Sequence, residues 1–282
     1  MAEYSESPIA GAYLVSSMWW YSAAVLEPVR SLKRAGFPVC SELIGDAPEN
    51  LPDTGLGPRF SKEYAAPVLL TAKTEHDHLV EEFDRMGDVY SEFVRPFSTP
   101  IFDEALGVIS RWLPRNARVL DAGCGPGREL LLVARRVPEG EVVGIDLAAG
   151  MVRSAWRAAR ASGLDHCAFF QSDVGDLPAI FDGQFDLVYS CLAHHHYPEP
   201  ATATSAILRC LRPGGVYCVI DPGPAWYNQI SAPIAKWADP GWIGFHTPEQ
   251  FRSLFQAAGF ARTGWQEILP GFGVALGQKA RG

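Results

Sequence analysis

The sequence predicts an α/β fold: a seven-stranded, mostly parallel sheet with helices on both faces, an antiparallel edge hairpin and a helical N-terminal extension. Two observations carry this. Short apolar runs alternate with helical stretches from Ala117 onward, and the last two runs are separated only by Leu269-Pro270-Gly271. Alternation of this kind predicts parallel strands joined by crossover helices, whereas a tight turn permits only antiparallel pairing.

Residues 1–75 read as a mainly helical extension. Tyr13 to Leu26 and Glu27 to Ala35 look helical, and Gly36-Phe37-Pro38 stops them. The Met18-Trp19-Trp20-Tyr21 cluster suits a substrate lid or a homodimer interface. Residues 45–62 are rich in Gly, Pro and Asp and read as a loop. Residues 76–282 form the main domain. Leu79, Phe83, Met86, Tyr90 and Val94 make one helical stripe, and Phe102, Leu106, Ile109 and Trp112 make a second. The strand-like runs are Arg118–Asp121, Glu141–Asp146, Cys167–Gln171, Phe185–Cys191, Gly215–Asp221, Ala261–Ile268 and Phe272–Leu276. Helical stretches are expected between each of the first five runs, and one at Thr247–Ala258 before the sixth. Residues 222–246 read as a lid insertion.

Composition narrows the function. The 282 residues are 48% hydrophobic, enough for a packed core. A formal net charge of -8 repels phosphate backbones, so no nucleic-acid partner is expected. Arg111, Arg115 and Arg118 read as solvated charge. The six cysteines contain no C-x-x-C pair and read as buried free thiols in a reducing, cytoplasmic compartment. The apolar stretch 10–26 follows Glu3 and Glu6 where an export signal carries positive charge, and it is short for a membrane span. It reads as a buried or interface helix, with no membrane partner. His76 and His78 flank Asp77 without a partner motif, so no metal site is expected.

Acids close the first strands. Residues 119–130, VLDAGCGPGREL, place Asp121 before Gly123, Gly125 and Gly127. Those glycines permit a sharp turn and close ligand approach, and a helix beginning near Pro126 offers free N–H groups. Glycine loops also bind dinucleotides, but Asp121 would repel a pyrophosphate and suits an ammonium group. Asp146 ends the second run about 20 residues after the loop, where a carboxylate commonly accepts both hydroxyls of a ribose. Leu147 follows it, and Met151 lies one helical turn further on, able to cover an adenine. In residues 171–178, QSDVGDLP, Asp173 can accept from an exocyclic amine, with Ser172 and Val174 offering adjacent contacts.

An amino-acid end, a ribose and an adenine together describe S-adenosylmethionine. VLDAGCGPG, VVGID, SDVGDLP, FDLVYS and LRPGG resemble, in order, the class I S-adenosylmethionine-dependent methyltransferases of the small-molecule type. The resemblance spans about residues 80–280, with most weight on 117–223. It implies a Rossmann-like domain with S-adenosylmethionine as cofactor. It assigns Asp121 and the glycine loop to the methionine end, Asp146 to the ribose and Asp173 to the adenine. It also places Cys191 near the cofactor sulfur and an aromatic such as Tyr90 over the cofactor. Methyl transfer is a direct displacement, so the protein must mainly align the partners and exclude water. A base is needed only when the acceptor must lose a proton. His195 and His196 of YSCLAHHHYPEP align with a family histidine pair, and His246 is a further candidate base. Trp226, Tyr227 and Trp242 would wall a small, hydrophobic or aromatic acceptor. The alternatives are the same cofactor site serving a reaction such as a cyclisation, a non-catalytic binding module, and a nicotinamide oxidoreductase.

Overall fold

The computed structural model describes residues 59–69, 98–238 and 241–281. The expectations for residues 1–58 and 70–97, including the helices before Gly36, Cys40, the His76/His78 pair and the stripe through Tyr90, lie outside the described residues.

Among the described residues seven strands form one sheet. They are β1 (Arg118–Ala122), β2 (Glu141–Asp146), β3 (Cys167–Gln171), β4 (Phe185–Cys191), β5 (Leu211–Pro222), β6 (Arg262–Leu269) and β7 (Phe272–Gln278). Their order is β3-β2-β1-β4-β5-β7-β6. The first five pair in parallel, and β7 runs antiparallel to both β5 and β6. The chain winds outward one way through β2 and β3 and the other way through β4 and β5. The carboxyl ends of β1 and β4 therefore flank the switch point where such sheets bind ligands.

Helix α1 spans residues 98–109 and continues into a 3-10 turn, Ser110–Trp112. The remaining helices are α2 (Arg128–Ala134), α3 (Ala149–Ala161), α4 (Pro200–Cys210), α5 (Ala225–Ala238) and α6 (Pro248–Ala258). Successive strand residues feed opposite sides of the sheet. Val119, Val142 and Leu187 join a core with Phe102 and Ile109 of α1, Leu130 of α2 and Val152 of α3. Leu120, Val143 and Val188 join a second core with Ile207 of α4 and Phe251 and Phe255 of α6. Burial on both faces is why the inner strands read as continuous apolar runs.

Three local expectations are corrected. No α-helix joins β3 to β4; the connection carries a single 3-10 turn, Ala179–Phe181, held between Pro178 and Gly183. The loop expected over 45–62 ends in a helical turn, Phe60–Glu63. Phe60 is buried there against Phe170, Phe181 and Phe185, which stabilises the fold by roughly 1.5–3 kcal/mol. Val68 then bridges β3 through Val68 N–H to Phe169 O and Gln171 N–H to Val68 O, at 3.0 and 2.7 Å. Residues 59–69 thus dock on the outer edge of the sheet.

Arg118 is the third correction, since it is buried rather than solvated. It opens β1, where its guanidinium meets Glu141 at 2.9 Å and Gln184 at 2.8 Å, while its backbone N–H donates to Asp186 at 2.7 Å. These partners lie at the amino edge of the sheet, opposite the ligand edge. Arg115, by contrast, is exposed beside Glu139.

Candidate functional site

The glycine loop is fixed by its own backbone. Gly123 and Cys124 N–H donate to Ile145 O at the end of β2, at 2.9 and 2.8 Å. Gly127 has φ +85° and caps α2, which starts at Arg128, two residues past the expected position. A Cβ on Gly127 would lie 2.9 Å from the Ala155 backbone, so this glycine lets α3 approach the loop. Gly123 likewise lies against Ala193, 2.7 Å from where its own Cβ would stand. Gly125 differs: at φ +50° it faces open space, with nothing within 4 Å of the position a Cβ would take. It is the point of the loop where a ligand can reach bare backbone.

Asp146 binds this point directly, and two further carboxylates, Asp121 and Glu129, lie within electrostatic reach of one another nearby. Asp121, at the end of β1, is buried and accepts a 2.6 Å hydrogen bond from the Tyr189 hydroxyl of β4. Burial raises its pKa well above the usual carboxylate range, the Tyr189 bond lowers it, and the charges of Glu129 and Asp146 raise it further. Asp146 accepts Gly125 N–H at 2.8 Å on Oδ2 and Ala148 N–H at 2.9 Å on Oδ1. These two backbone donors fix the orientation of the Asp146 carboxylate. Glu129 at the start of α2 accepts the Ser98 hydroxyl at 3.1 Å. Arg128 lies 3.7 Å from the same carboxylate, so the repulsion felt by Asp121 comes from a partly compensated Glu129 and from Asp146.

The β3 end completes that side. Ser172 N–H donates to Asp146 O at 3.0 Å, tying the segment to β2. Asp173 accepts Gly175 N–H at 2.7 Å, a local turn that fixes its carboxylate. Val174 and Met151 are buried, and the Leu147 carbonyl accepts the Gln171 side chain at 3.0 Å. Tyr90 lies outside the described residues.

Beyond β4 the backbone is strained. Leu192 has φ +50°, the sole non-glycine with positive φ among the described residues, and its N–H donates to Ile220 O at 2.9 Å. This turn directs the chain from half-buried Cys191 into a 3-10 turn, His194–His196. Tyr197 locks the turn from beneath, its hydroxyl bridging Ala122 O at 2.8 Å and Ser190 Oγ at 3.0 Å. His195 Nδ1 lies 2.7 Å from Asp221 Oδ1, and its backbone N–H donates to Asp221 Oδ2 at 3.1 Å. His196 lies beside it, ring centroids 4.2 Å apart. His194 is packed among Tyr197, His246 and Phe251, and neither of its ring nitrogens has a hydrogen-bond partner. Burial lowers the pKa of His194 well below the usual imidazole value, and lowers His246 as well.

The segment after β5 folds as α5, with Trp226, Ile230 and Ile234 exposed along one face at four-residue spacing. Tyr227 is turned inward onto Phe272 and sits under Gly271. Residues 241–246 return to the histidine turn, where Ile243 N–H donates to His195 O at 2.8 Å and Phe245 packs on the His195 ring. Trp242 packs on Phe245. The structure thus gathers Asp121, Gly125 and Asp146 at one end of the ligand edge. His195, His196, His246 and Trp242 cluster around the β4 and β5 ends, while Tyr227 belongs to the core. Sequence reasoning missed Tyr189, Tyr197, Glu129 and Asp221. Asp221 carries the same signal as Asp121 and Asp146, an acid closing an apolar run.

A family model described as a methyltransferase domain matches residues 119–215. Demethylmenaquinone methyltransferase of Thermus thermophilus is 32% identical over 179 residues, covering 56% of this chain and 79% of the relative. Malonyl-[acyl-carrier protein] O-methyltransferase of Dechloromonas aromatica is 31% identical over 174 residues, covering 58% of this chain and 63% of the relative. The chain spans about half the length of other curated relatives it matches. In fold, it is similar to a solved SAM-dependent methyltransferase of Aquifex aeolicus, with a TM-score of 0.54, 20% identity, and coverage of 71% and 97% of the two chains.

Proposed function

The chain belongs to the class I S-adenosylmethionine-dependent methyltransferase family, and on that premise we propose that it methylates a small, hydrophobic or aromatic metabolite. One observation carries the reading. Asp146 holds the Gly125 N–H at the bare point of the loop, and Asp146 and Glu129 both act electrostatically on buried Asp121 at the end of β1. S-adenosylmethionine fits that set, since its ammonium and sulfonium charges favour the ionised form of Asp121, which burial first and then the charges of Glu129 and Asp146 disfavour. When bound it supplies an activated methyl group.

The chain's own residues bind, orient and exclude water. Asp121 and the loop of Gly123, Gly125 and Gly127 hold the methionine end, and Asp146 holds the ribose. Asp173, with Leu147, Met151, Ser172 and Val174, receives the adenine. Cys191, at the end of β4, would stand near the cofactor's sulfur. His195, His196 and His246 face the acceptor, with Trp226 and Trp242 forming an apolar wall beside it. The net charge of -8 supports a small-molecule acceptor over nucleic acid, and the five free cysteines of the described residues support a reducing, cytoplasmic setting.

Calorimetric titration with S-adenosylhomocysteine tests the reading. Wild type should bind, and Asp146→Ala should weaken binding by roughly tenfold or more, about 1.4 kcal/mol. Folded wild type that binds none would overturn it.

A further inference from the structure

We propose that Tyr197 is a positioning residue of the methyl-transfer site: seated on the root of the glycine loop, it holds the His194–His196 turn in one strained conformation, so that a cofactor in the loop orders the turn that meets the acceptor. This rests on the methyltransferase reading and adds to it a residue that joins the two halves of the site.

The contact between turn and loop is direct. β1 pairs with β4 only as far as Asp121 and Tyr189, so the Ala122 carbonyl lies past the end of that ladder and needs another donor. The Tyr197 hydroxyl supplies it at 2.8 Å, one residue before Gly123. The same hydroxyl lies 3.0 Å from Ser190 Oγ of β4. Gly123 turns its bare α-carbon toward the histidine turn, since a Cβ there would stand 2.7 Å from the Ala193 Cβ and 3.8 Å from the Tyr197 hydroxyl. Ala122, Ser190 and Tyr197 are buried, so water does not stand in for a lost partner.

The turn itself is held under strain. Leu192 keeps φ +50°, a conformation that persists in a non-glycine only where its surroundings over-determine it. Leu192 N–H is tied to Ile220 O at 2.9 Å, and Ile243 N–H reaches His195 O at 2.8 Å. Tyr197 closes the turn from the loop side: its N–H donates to His194 O at 3.0 Å, and its ring packs on His194 with centroids 4.9 Å apart. A ligand lying on the loop restrains Gly123, and a restrained Gly123 gives Ala193 and Tyr197 a fixed seat. The turn then opens less often. By linkage an ordered turn steadies the loop in return, so cofactor and acceptor each favour the binding of the other.

Hydrogen exchange of the full-length protein, read by mass spectrometry with and without S-adenosylhomocysteine, tests this without turnover. The amides of Leu192, His195, His196 and Tyr197 all donate hydrogen bonds, so their exchange reports opening of the turn. In wild type the ligand should slow exchange across residues 192–197 about tenfold, besides protecting the loop at 120–130. Tyr197→Phe keeps the ring and loses both hydroxyl bonds. It should bind S-adenosylhomocysteine within about threefold of wild type and keep the ligand's protection of 120–130, while losing that of 192–197. A residue that merely braced the fold would weaken both segments alike, and that result overturns the proposal. So does ligand protection of 192–197 that survives Tyr197→Phe, or a wild type in which the ligand protects the loop alone. Should Tyr197→Phe not fold, Ala193→Gly removes the methyl facing Gly123 and should shrink the same protection; no change there overturns the proposal as well. Failure of wild type to bind S-adenosylhomocysteine would instead overturn the methyltransferase reading beneath it.

Discussion

Asp121 and Tyr189 are register partners on adjacent parallel strands, and the Tyr189 hydroxyl donates to Asp121 Oδ2 at 2.6 Å with both side chains buried. The tyrosine is what keeps a carboxylate tolerable there, against burial and two neighbouring negative charges. Tyr189→Phe leaves that carboxylate without its donor. It should cost about 1–3 kcal/mol of stability in urea unfolding and weaken S-adenosylhomocysteine binding by roughly tenfold. Unchanged stability and affinity would show that Asp121 does not depend on this bond.

Binding should also be linked to protons at Asp121. Its folded pKa is raised, first by burial and then by Glu129 and Asp146. A ligand ammonium favours the ionised form and lowers that pKa, so binding releases protons between the two values, tightens as pH rises from the bound value to the ligand-free one, and levels off above it. Calorimetry in two buffers of different ionisation enthalpy should give different apparent enthalpies, a difference that Asp121→Asn removes. Identical enthalpies in wild type would refute the linkage.

The loop glycines separate fold from binding. Gly127→Ala forces a Cβ to 2.9 Å from the Ala155 backbone at φ +85°, so it should lower Tm and solubility. Gly125→Ala meets nothing within 4 Å and carries only the left-handed backbone cost of about 1–2 kcal/mol. Its methyl should instead obstruct the ligand, reducing affinity far more than Tm. Thermal melts and calorimetry on the two variants check this, and a Gly125→Ala protein with wild-type affinity would show that the ligand passes elsewhere.

The legible parts of the sequence were those where one physical signal repeats. Inner strands β1 to β5 are apolar because both faces are covered, and β6 and β7 announced themselves through Pro270-Gly271. Asp121 and Asp146 stood out by closing such strands beside a glycine loop. Long-range partnerships left no local trace. The sequence near Arg118 gives no sign that Glu141 neutralises its guanidinium and that Asp186 accepts its backbone N–H, and the Gly- and Pro-rich composition of 45–62 hides Phe60's pocket among Phe170, Phe181 and Phe185. Leu192 in the left-handed region is equally silent, because its conformation is imposed by the β4–β5 ends.

His194 should make stability sensitive to acid. Burial, with the nearby His246 and His195, lowers its folded pKa, and neither ring nitrogen has a partner to stabilise a second proton. The unfolded chain protonates this residue below about pH 6.5 while the folded chain does not. Stability therefore falls as pH drops through that value, by up to about 1.4 kcal/mol per pH unit, until the folded ring also protonates. His246, also lowered, acts in the same direction, whereas Asp121, with its raised pKa, opposes it. Comparing wild type with His194→Phe isolates the one group. Phenylalanine fits among Tyr197, Phe251 and His246 and leaves no buried nitrogen unpaired, so it should match or exceed wild-type stability at pH 7.5. Between pH 6.5 and 5 its advantage should widen in chemical denaturation, and parallel curves would show that His194 is already protonated or hydrated in the folded protein.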